Sequence, residues 1–296
     1  MAIFYYSGFS ENHQSSNFGD DVNPMLMNRL FDPSLINSQN VCIMGVGTLI
    51  NNENVGSISR FPKKIVFSSG IGYGDVDPKL DSSWECVCVR GPKTAQLLGL
   101  GPDKAICDGA VLLSDYFAVV PENKRDKAVM FIPHIKTHWA AGKVLKKVAE
   151  QVGMIYLPPD LPPEEFIAIV AKARLVVTEA MHGAILADTM RVPWIPVSLH
   201  EHNRFKWEDW FSSIGLEYRN TQLPRSIWNA PEDRVKRLLK YPFQRIKVQR
   251  LSQRLSNVLT EDPALLSDEK TLDELKRQLR EKIGYINRTY GDVRAE

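Results

Sequence analysis

Three features of this 296-residue sequence predict an α/β fold made of two Rossmann-like domains facing each other across a cleft, with a helical C-terminal tail. Short apolar runs alternate with amphipathic stretches through most of the chain, the pattern of βα units around a parallel sheet. The alternation breaks once, at the polar segment Pro121-Glu-Asn-Lys-Arg-Asp-Lys127, and then restarts. The length, at roughly 150 residues per domain, suits two domains or one large one. The expected division is 1–122, 127–222 and a basic helical tail, 223–296, packing back on the core.

Candidate strands in the first half are Ile3–Tyr6, Val41–Met44, Lys64–Ser68, Glu85–Val89 and Lys104–Cys107. Asn23-Pro24 has the form of an N-cap with proline at the first helical position, opening a helix to about Leu30. Gly91-Pro92 repeats the device before Lys93–Leu98. Beyond the linker come strand Ala128–Ile132, helix Trp139–Gln151, strand Met154–Tyr156 and the proline-rich turn Leu157–Pro163. Helix Glu164–Ala173, strand Arg174–Thr178, helix His182–Met190 and strand Trp194–Val197 follow. From about Pro224 the chain turns helical and charged, with cations dense in Arg234–Lys240 and Arg245–Arg254 and mixed charge in Asp273–Lys282. Such a tail is either a solvated face packed on the core or a basic surface for anionic lipid headgroups or a lipid diphosphate.

Composition is that of a soluble globular protein, 44% hydrophobic and 24% charged. A net charge of +2 gives no global pointer to nucleic acid. The four cysteines, Cys42, Cys86, Cys88 and Cys107, sit in or beside apolar runs without a second cluster at ligand spacing. They read as buried thiols in a reducing cytoplasm rather than a zinc site or a disulfide framework. The N-terminal stretch lacks the basic start and apolar length of a signal peptide, and no segment approaches ~20 apolar residues. The expectation is a cytoplasmic protein able to touch the inner face of a membrane without spanning it.

Chemistry-bearing residues follow the strands, where ligands of parallel sheets bind. Ser15–Asp21 (SSNFGDD) offers Asn17, Asp20 and Asp21 to sugar hydroxyls, or is an ordinary turn before a helix. Gly45-Val-Gly47-Thr48 and Ser68–Gly74 (SSGIGYG) are glycine loops that let backbone approach a ligand. Neither is a dinucleotide fingerprint, and there is no Walker A sequence. Asp75-Val-Asp77 matches a short metal motif of some sugar transferases, a pattern common by chance. Arg90, between a strand and Gly91-Pro92, is placed to grip a carboxylate or phosphate, or to form an ion pair. His134, Lys136 and His138 form either an anion site or a polar rim.

The stretch Val177–Met190 (VTEAMHGAILADTM) places Glu179 and His182 where a strand gives way to a helix, aimed at the expected cleft. A histidine there is a cap, a core residue, or a general acid or base titrating near neutrality. A neighbouring carboxylate favours the last reading, because it can orient and charge an imidazole.

Taken in order, these pieces resemble the polysaccharide pyruvyl transferase family. The matching segments are NFGDD (Asn17–Asp21), MGVGTLIN (Met44–Asn51), SSGIGYG (Ser68–Gly74), VRGPKT (Val89–Thr94), MHGAILAD with RVPWIPV behind it, and NRFKWEDW (Asn203–Trp210). The resemblance covers roughly Ile3 to Glu217, and its nearest flavour is the succinoglycan-type group that adds pyruvyl ketals to exopolysaccharide repeat units. It implies a GT-B-like fold, phosphoenolpyruvate as donor and a lipid-linked sugar as acceptor; neither a cofactor nor a metal is expected. Many members carry arginine two residues before the histidine; here Ala180 holds that position, leaving Arg90, Lys136, Arg191 or Arg204 as the replacement cation.

On this reading His182 is the general acid, and Glu179 orients it or acts as a base. Arg90, His134, Lys136 and the Gly183 amide hold the donor, and Asn17, Asp20, Asp21 and Gly47 meet the acceptor. The rivals are a GT-B glycosyltransferase using a nucleotide sugar and a non-catalytic carbohydrate-binding relative.

Overall fold

Two separate sets of short apolar strands each form a five-stranded parallel sheet in the computed structural model. The structure describes residues 2–6, 17–72, 78–199, 203–224 and 234–291, with the side chains of 234–244 excepted. In chain order the elements are β1 (Ile3–Phe4), α1 (Phe18–Leu30), α2 (Pro33–Ile36), β2 (Val41–Met44), β3 (Gly47–Ile50), α3 (Asn52–Ser57), β4 (Lys63–Ile71), β5 (Trp84–Val89) and α4 (Pro92–Leu97). There follow β6 (Val129–Ile132), α5 (Ile135–Gln151), β7 (Met154–Tyr156), α6 (Pro163–Lys172), β8 (Leu175–Thr178), α7 (Met181–Thr189) and β9 (Trp194–Ser198). The last are α8 (Arg204–Ser213), β10 (Thr221–Gln222), α9 (Arg234–Glu261) and α10 (Glu269–Tyr290). Strands such as VCIM, VMFI and WIPVS are buried throughout, as parallel strands covered on both faces must be.

The chain divides into two compact units, Met1–Tyr116 with Asn203–Tyr218 and Ser267–Glu296, and Phe117–His202 with Arg219–Leu266. The first cut falls near the expected linker. The later boundaries differ from expectation, because the tail is not one body and Asn203–Tyr218 returns to the first unit. Long-range packing explains both. Leu251, Leu255 and Val258 of α9 join Leu145 and Val148 of α5 in the second unit's core. α10 buries Leu272, Leu275, Leu279, Ile283 and Ile286, and packs on β5 and the 3-10 turns at Gly109–Asp115 in the first unit.

In the first unit the sheet runs β1-β2-β4-β3, with β5 on the other edge of β4. Three details depart from the sequence reading. α1 begins at Phe18 and passes through Asn23-Pro24. Pro24 has no N–H for the Asp20 carbonyl, and the Asn23 Nδ2 donates to that carbonyl instead, at 3.2 Å. Asn23 also brackets the Val46 backbone, donating to its carbonyl and accepting from its N–H, which holds the kink between β2 and β3. Second, Ser68, Ser69 and Gly70 lie inside β4, where the two hydroxyls donate to the Cys107 and Gly45 carbonyls. Third, Lys104–Cys107 is not a strand; only Ala105 bridges to Val89. Cys42, Cys88 and Cys107 are buried and Cys86 is half-buried, with burial pushing the Cys42 and Cys86 thiols up to about 11.

The second unit has the order β10-β9-β8-β6-β7. From β6 the chain steps to β7, then crosses back past β6 to β8 and onward. α5 and α9 pack together over one face, while α6 and α7 pack together elsewhere. This is the doubly wound arrangement, with the direction of winding reversing between β6 and β8.

Candidate active site

In a doubly wound sheet the ligand crevice lies outside the carboxyl ends of the strands where winding reverses. Here those are β6 and β8, which pair from Val129↔Leu175 to Ile132↔Thr178. Both run straight into helices, so the N-termini of α5 and α7 sit at the same edge with their positive dipole ends. His134 is the N-cap of α5, its Nδ1 accepting from the Lys136 N–H at 3.3 Å, which places the hydrogen of a neutral ring on Nε2. α7 begins after Ala180, whose side chain cannot cap, and His182 is its second residue. The capping histidine is therefore His134. The His182 ring is half-buried, and its Nε2 is closed off from solvent.

Glu179 leaves the end of β8 and ties three strand ends together. Its N–H donates to the Ile132 carbonyl at 2.9 Å. Its carboxyl accepts from the Leu199 N–H at 2.7 Å, just past β9, and from the His134 N–H at 3.3 Å, just past β6. Thr137 also donates to it. The carboxyl thereby holds the loops after β6 and β9 against the end of β8. Burial pushes it up to about 7, against the pull of these three donors.

The pH consequence has a definite sign. The unfolded chain releases this proton near the usual 4.5 and the folded one near 7, so stability falls as pH rises between those values and is level beyond them. Urea unfolding of the wild type and Glu179→Gln at pH 4.5 to 8 should show the wild type losing on the order of 3 kcal/mol relative to the variant across that window. A constant difference would place Glu179 in an ordinary carboxylate range.

Gly183 packs tightly under its helix. A Cβ there would lie 2.8 Å from Thr178 Oγ1 and 3.3 Å from an Ile132 methyl, so glycine is what lets α7 start against β8 and β6. Lys136 is exposed on the first turn of α5. Arg191 follows the far end of α7, nine residues long and thus about 13 Å from its start, which removes it as the cation for this edge.

The remaining predicted residues belong to the first unit, and two are corrected. Arg90 is fully buried. Its Nε donates to Asp209 Oδ2 at 3.2 Å, and its terminal nitrogens donate to Thr48 Oγ1 and the Ile71 carbonyl, each at 2.8 Å. Asp209 also accepts from the Thr94 N–H and hydroxyl, and Lys93 pairs with Glu208. The VRGPKT and NRFKWEDW segments thus mate with each other, and Arg90 is a brace inside the fold rather than a donor ligand. Gly47 is also internal: it is buried in β3, pairs with Ser69 and takes φ 120 where the strand kinks. It does not form an acceptor surface.

Asn17, Asp20 and Asp21 do come together at the start of α1. Asn17 Nδ2 donates to Asp20 at 2.7 Å and its N–H to Asp21 at 2.9 Å. Burial lifts the Asp20 carboxyl to about 6, opposed by the Asn17 hydrogen bond and, more weakly, by nearby Lys206. Sequence reasoning missed Lys206, buried on the first turn of α8, because only the fold brings it back to Asp20. Arg204, also on α8, is exposed and paired with Glu208. Tyr73, Gly74 and Asp75-Val-Asp77 lie outside the described residues. Among the described residues no helix is long and apolar enough to cross a membrane.

Fold and site together define a protein with parallel α/β sheets whose second unit presents acid–base residues at a winding reversal. The chain belongs to the polysaccharide pyruvyl transferase family, which it matches over residues 41–202. It is 35% identical over 221 residues to the succinoglycan biosynthesis protein ExoV of Rhizobium meliloti (strain 1021), a match covering 72% of this chain and 66% of that protein, just under two thirds of its length. Among solved structures it is similar to the UDP-GlcNAc 2-epimerase of Methanocaldococcus jannaschii in complex with UDP-GlcNAc and UDP, with 13% identity and a TM-score of 0.43 over 90% of this chain and 82% of that one.

Proposed function

We propose that this protein is a ketal pyruvyl transferase of bacterial exopolysaccharide biosynthesis. It moves the enolpyruvyl group of phosphoenolpyruvate onto a sugar of a lipid-linked repeat unit, in the cytoplasm. The observation that carries the reading is the position of His182, on the first turn of α7 at the winding reversal, within the stretch that matches the family. The name of the Rhizobium relative supports the same pathway class.

The reaction sets the roles. The methylene carbon of the donor gains a proton, one sugar hydroxyl attacks the adjacent carbon, phosphate leaves, and a second hydroxyl closes the ring. Two hydroxyl protons are released; one ends on the new methyl group and the other on phosphate. His182 is the general acid. Glu179 positions the loops around it, and Lys136 with the α5 and α7 N-termini draws the donor's negative charges. Asn17, Asp20 and Asp21 serve the acceptor. Exposed Arg245 and Arg250 of α9 meet the anionic surface on which a lipid-linked acceptor resides.

Incubation with phosphoenolpyruvate and a panel of lipid-linked oligosaccharides should release inorganic phosphate and give a product heavier by one pyruvyl ketal. Release of a nucleoside diphosphate from a nucleotide sugar would instead make it a glycosyltransferase. Sugar binding in calorimetry without turnover would make it a binding relative.

A further inference from the structure

The proline-rich turn after β7, which the proposed mechanism leaves without a role, places Asp160 beside His138 of α5. The carboxylate lies 3.2 Å from His138 Nε2. On the other side of the ring, Nδ1 is 2.8 Å from the hydroxyl of Tyr156, the last residue of β7. One tautomer satisfies both contacts in a neutral ring: Nε2–H donates to Asp160, and Nδ1 accepts from the tyrosine hydroxyl. That is the order of a nucleophile–base–orienter triad, with a phenol in the first place.

Position favours chemistry over packing. β7 borders β6, so Tyr156 ends one strand away from the winding reversal, and Glu179 is close enough for its charge to act on the Tyr156 hydroxyl. Burial first, then Asp160 and Glu179, raise the phenol above its usual range, which keeps the proton on it in the resting state. His138 and Asp160 retain 21% and 38% of their side-chain exposure, so the group is reachable from outside the fold. A Cβ on Gly142 would come within 3.0 Å of the tyrosine oxygen and 3.1 Å of Nδ1. Glycine inside a helix costs about 0.5–1 kcal/mol against alanine, and here its lack of a side chain leaves the hydrogen bond undisturbed. The helix also breaks its regular geometry at Ala141, which sets the turn carrying His138 apart from the rest of α5.

We propose that Tyr156, His138 and Asp160 form a second proton-transfer group, which takes the proton from an acceptor sugar hydroxyl as that oxygen attacks the donor. The inference rests on the pyruvyl transfer reading. As the sugar O–H breaks, its electron pair forms the C–O bond and its proton moves to the Tyr156 oxygen. The phenolic proton passes at the same time to His138 Nδ1, and the imidazolium pairs with Asp160. Departing phosphate accepts the proton from the ring and resets the group. His182 and this relay thus divide the proton delivery to carbon from the proton removal at oxygen.

The test is phosphate release from phosphoenolpyruvate with a lipid-linked oligosaccharide, comparing wild type, Tyr156→Phe, Asp160→Asn and the double variant. Tyr156→Phe should lower kcat about 100-fold, and Asp160→Asn about tenfold, with KM for both substrates within about threefold of wild type. Because the groups act as one unit, the double variant should be no slower than Tyr156→Phe alone. Asp160 sits in a partly exposed turn, so its variant reports even if Tyr156→Phe folds poorly. Turnover in Tyr156→Phe within about threefold of wild type, or losses that multiply in the double variant, would overturn the relay. A wild-type protein that releases no phosphate with any acceptor overturns the transferase reading itself, a distinct result from a variant that matches an active wild type.

Discussion

Replacing Arg90 by methionine should lower the unfolding free energy by about 3–5 kcal/mol, because it strands Asp209 as an uncompensated buried charge. Both side chains are wholly out of solvent. Arg90 binds three partners from three elements, Asp209 on α8, Thr48 on β3 and the Ile71 carbonyl at the end of β4. Removing it leaves each acceptor to find a new donor in a place water does not reach. Urea denaturation measures the loss directly. In an assay at low temperature, where the variant is folded, KM for phosphoenolpyruvate should stay within about threefold of wild type, since a group with no solvent exposure does not meet the donor. A raised KM with unchanged stability would return Arg90 to the donor site. Exchanging both members for apolar residues often restores what breaking a buried pair loses. Here the recovery should be partial, because Asp209 also holds the Thr94 N–H and hydroxyl.

Arg90 shows where reading the chain in order reaches its limit. A strand end followed by Gly-Pro and a helix is visible locally, and it correctly placed the arginine at the carboxyl end of β5. Its partner lies 119 residues later, and nothing in the local pattern distinguishes an arginine aimed at a ligand from one aimed at α8. The strands themselves were legible where apolar runs are unbroken, as in VCIM and LVVT. β3 was not, because the Gly45-Val46-Gly47 kink interrupts the run, and the side chains that hold it, Asn23 and Ser69, lie more than twenty residues away on either side. In the second unit the loops after β6 and β8 were identified from their polar residues, yet the division of labour between histidines was not. Capping depends on which ring nitrogen meets a backbone N–H, and that placed His134, not His182, on the helix end. The Tyr156–His138–Asp160 contacts were out of reach for the same reason: they join a strand, a helix and a turn by side-chain direction, which spacing does not encode.

Alanine in place of His182 should reduce phosphate release about 100-fold or more, the usual share of a positioned general acid. The residue is the second of α7, a helix whose N-cap Ala180 makes no side-chain hydrogen bond to the first turn. It stands next to Gly183, which is pinned against Thr178 and Ile132, so packing at that glycine fixes the backbone that carries the imidazole. The residue is only half-buried, so the unfolding midpoint should move far less than kcat. That separation distinguishes a proton donor from a structural histidine, whose loss would lower stability and leave the surviving folded enzyme active. It also separates His182 from the tyrosine relay. A protonated imidazole delivers a proton to the methylene carbon, and a neutral one accepts a proton from a hydroxyl, so the two groups serve opposite transfers. Near-normal turnover in His182→Ala would remove the histidine from the reaction.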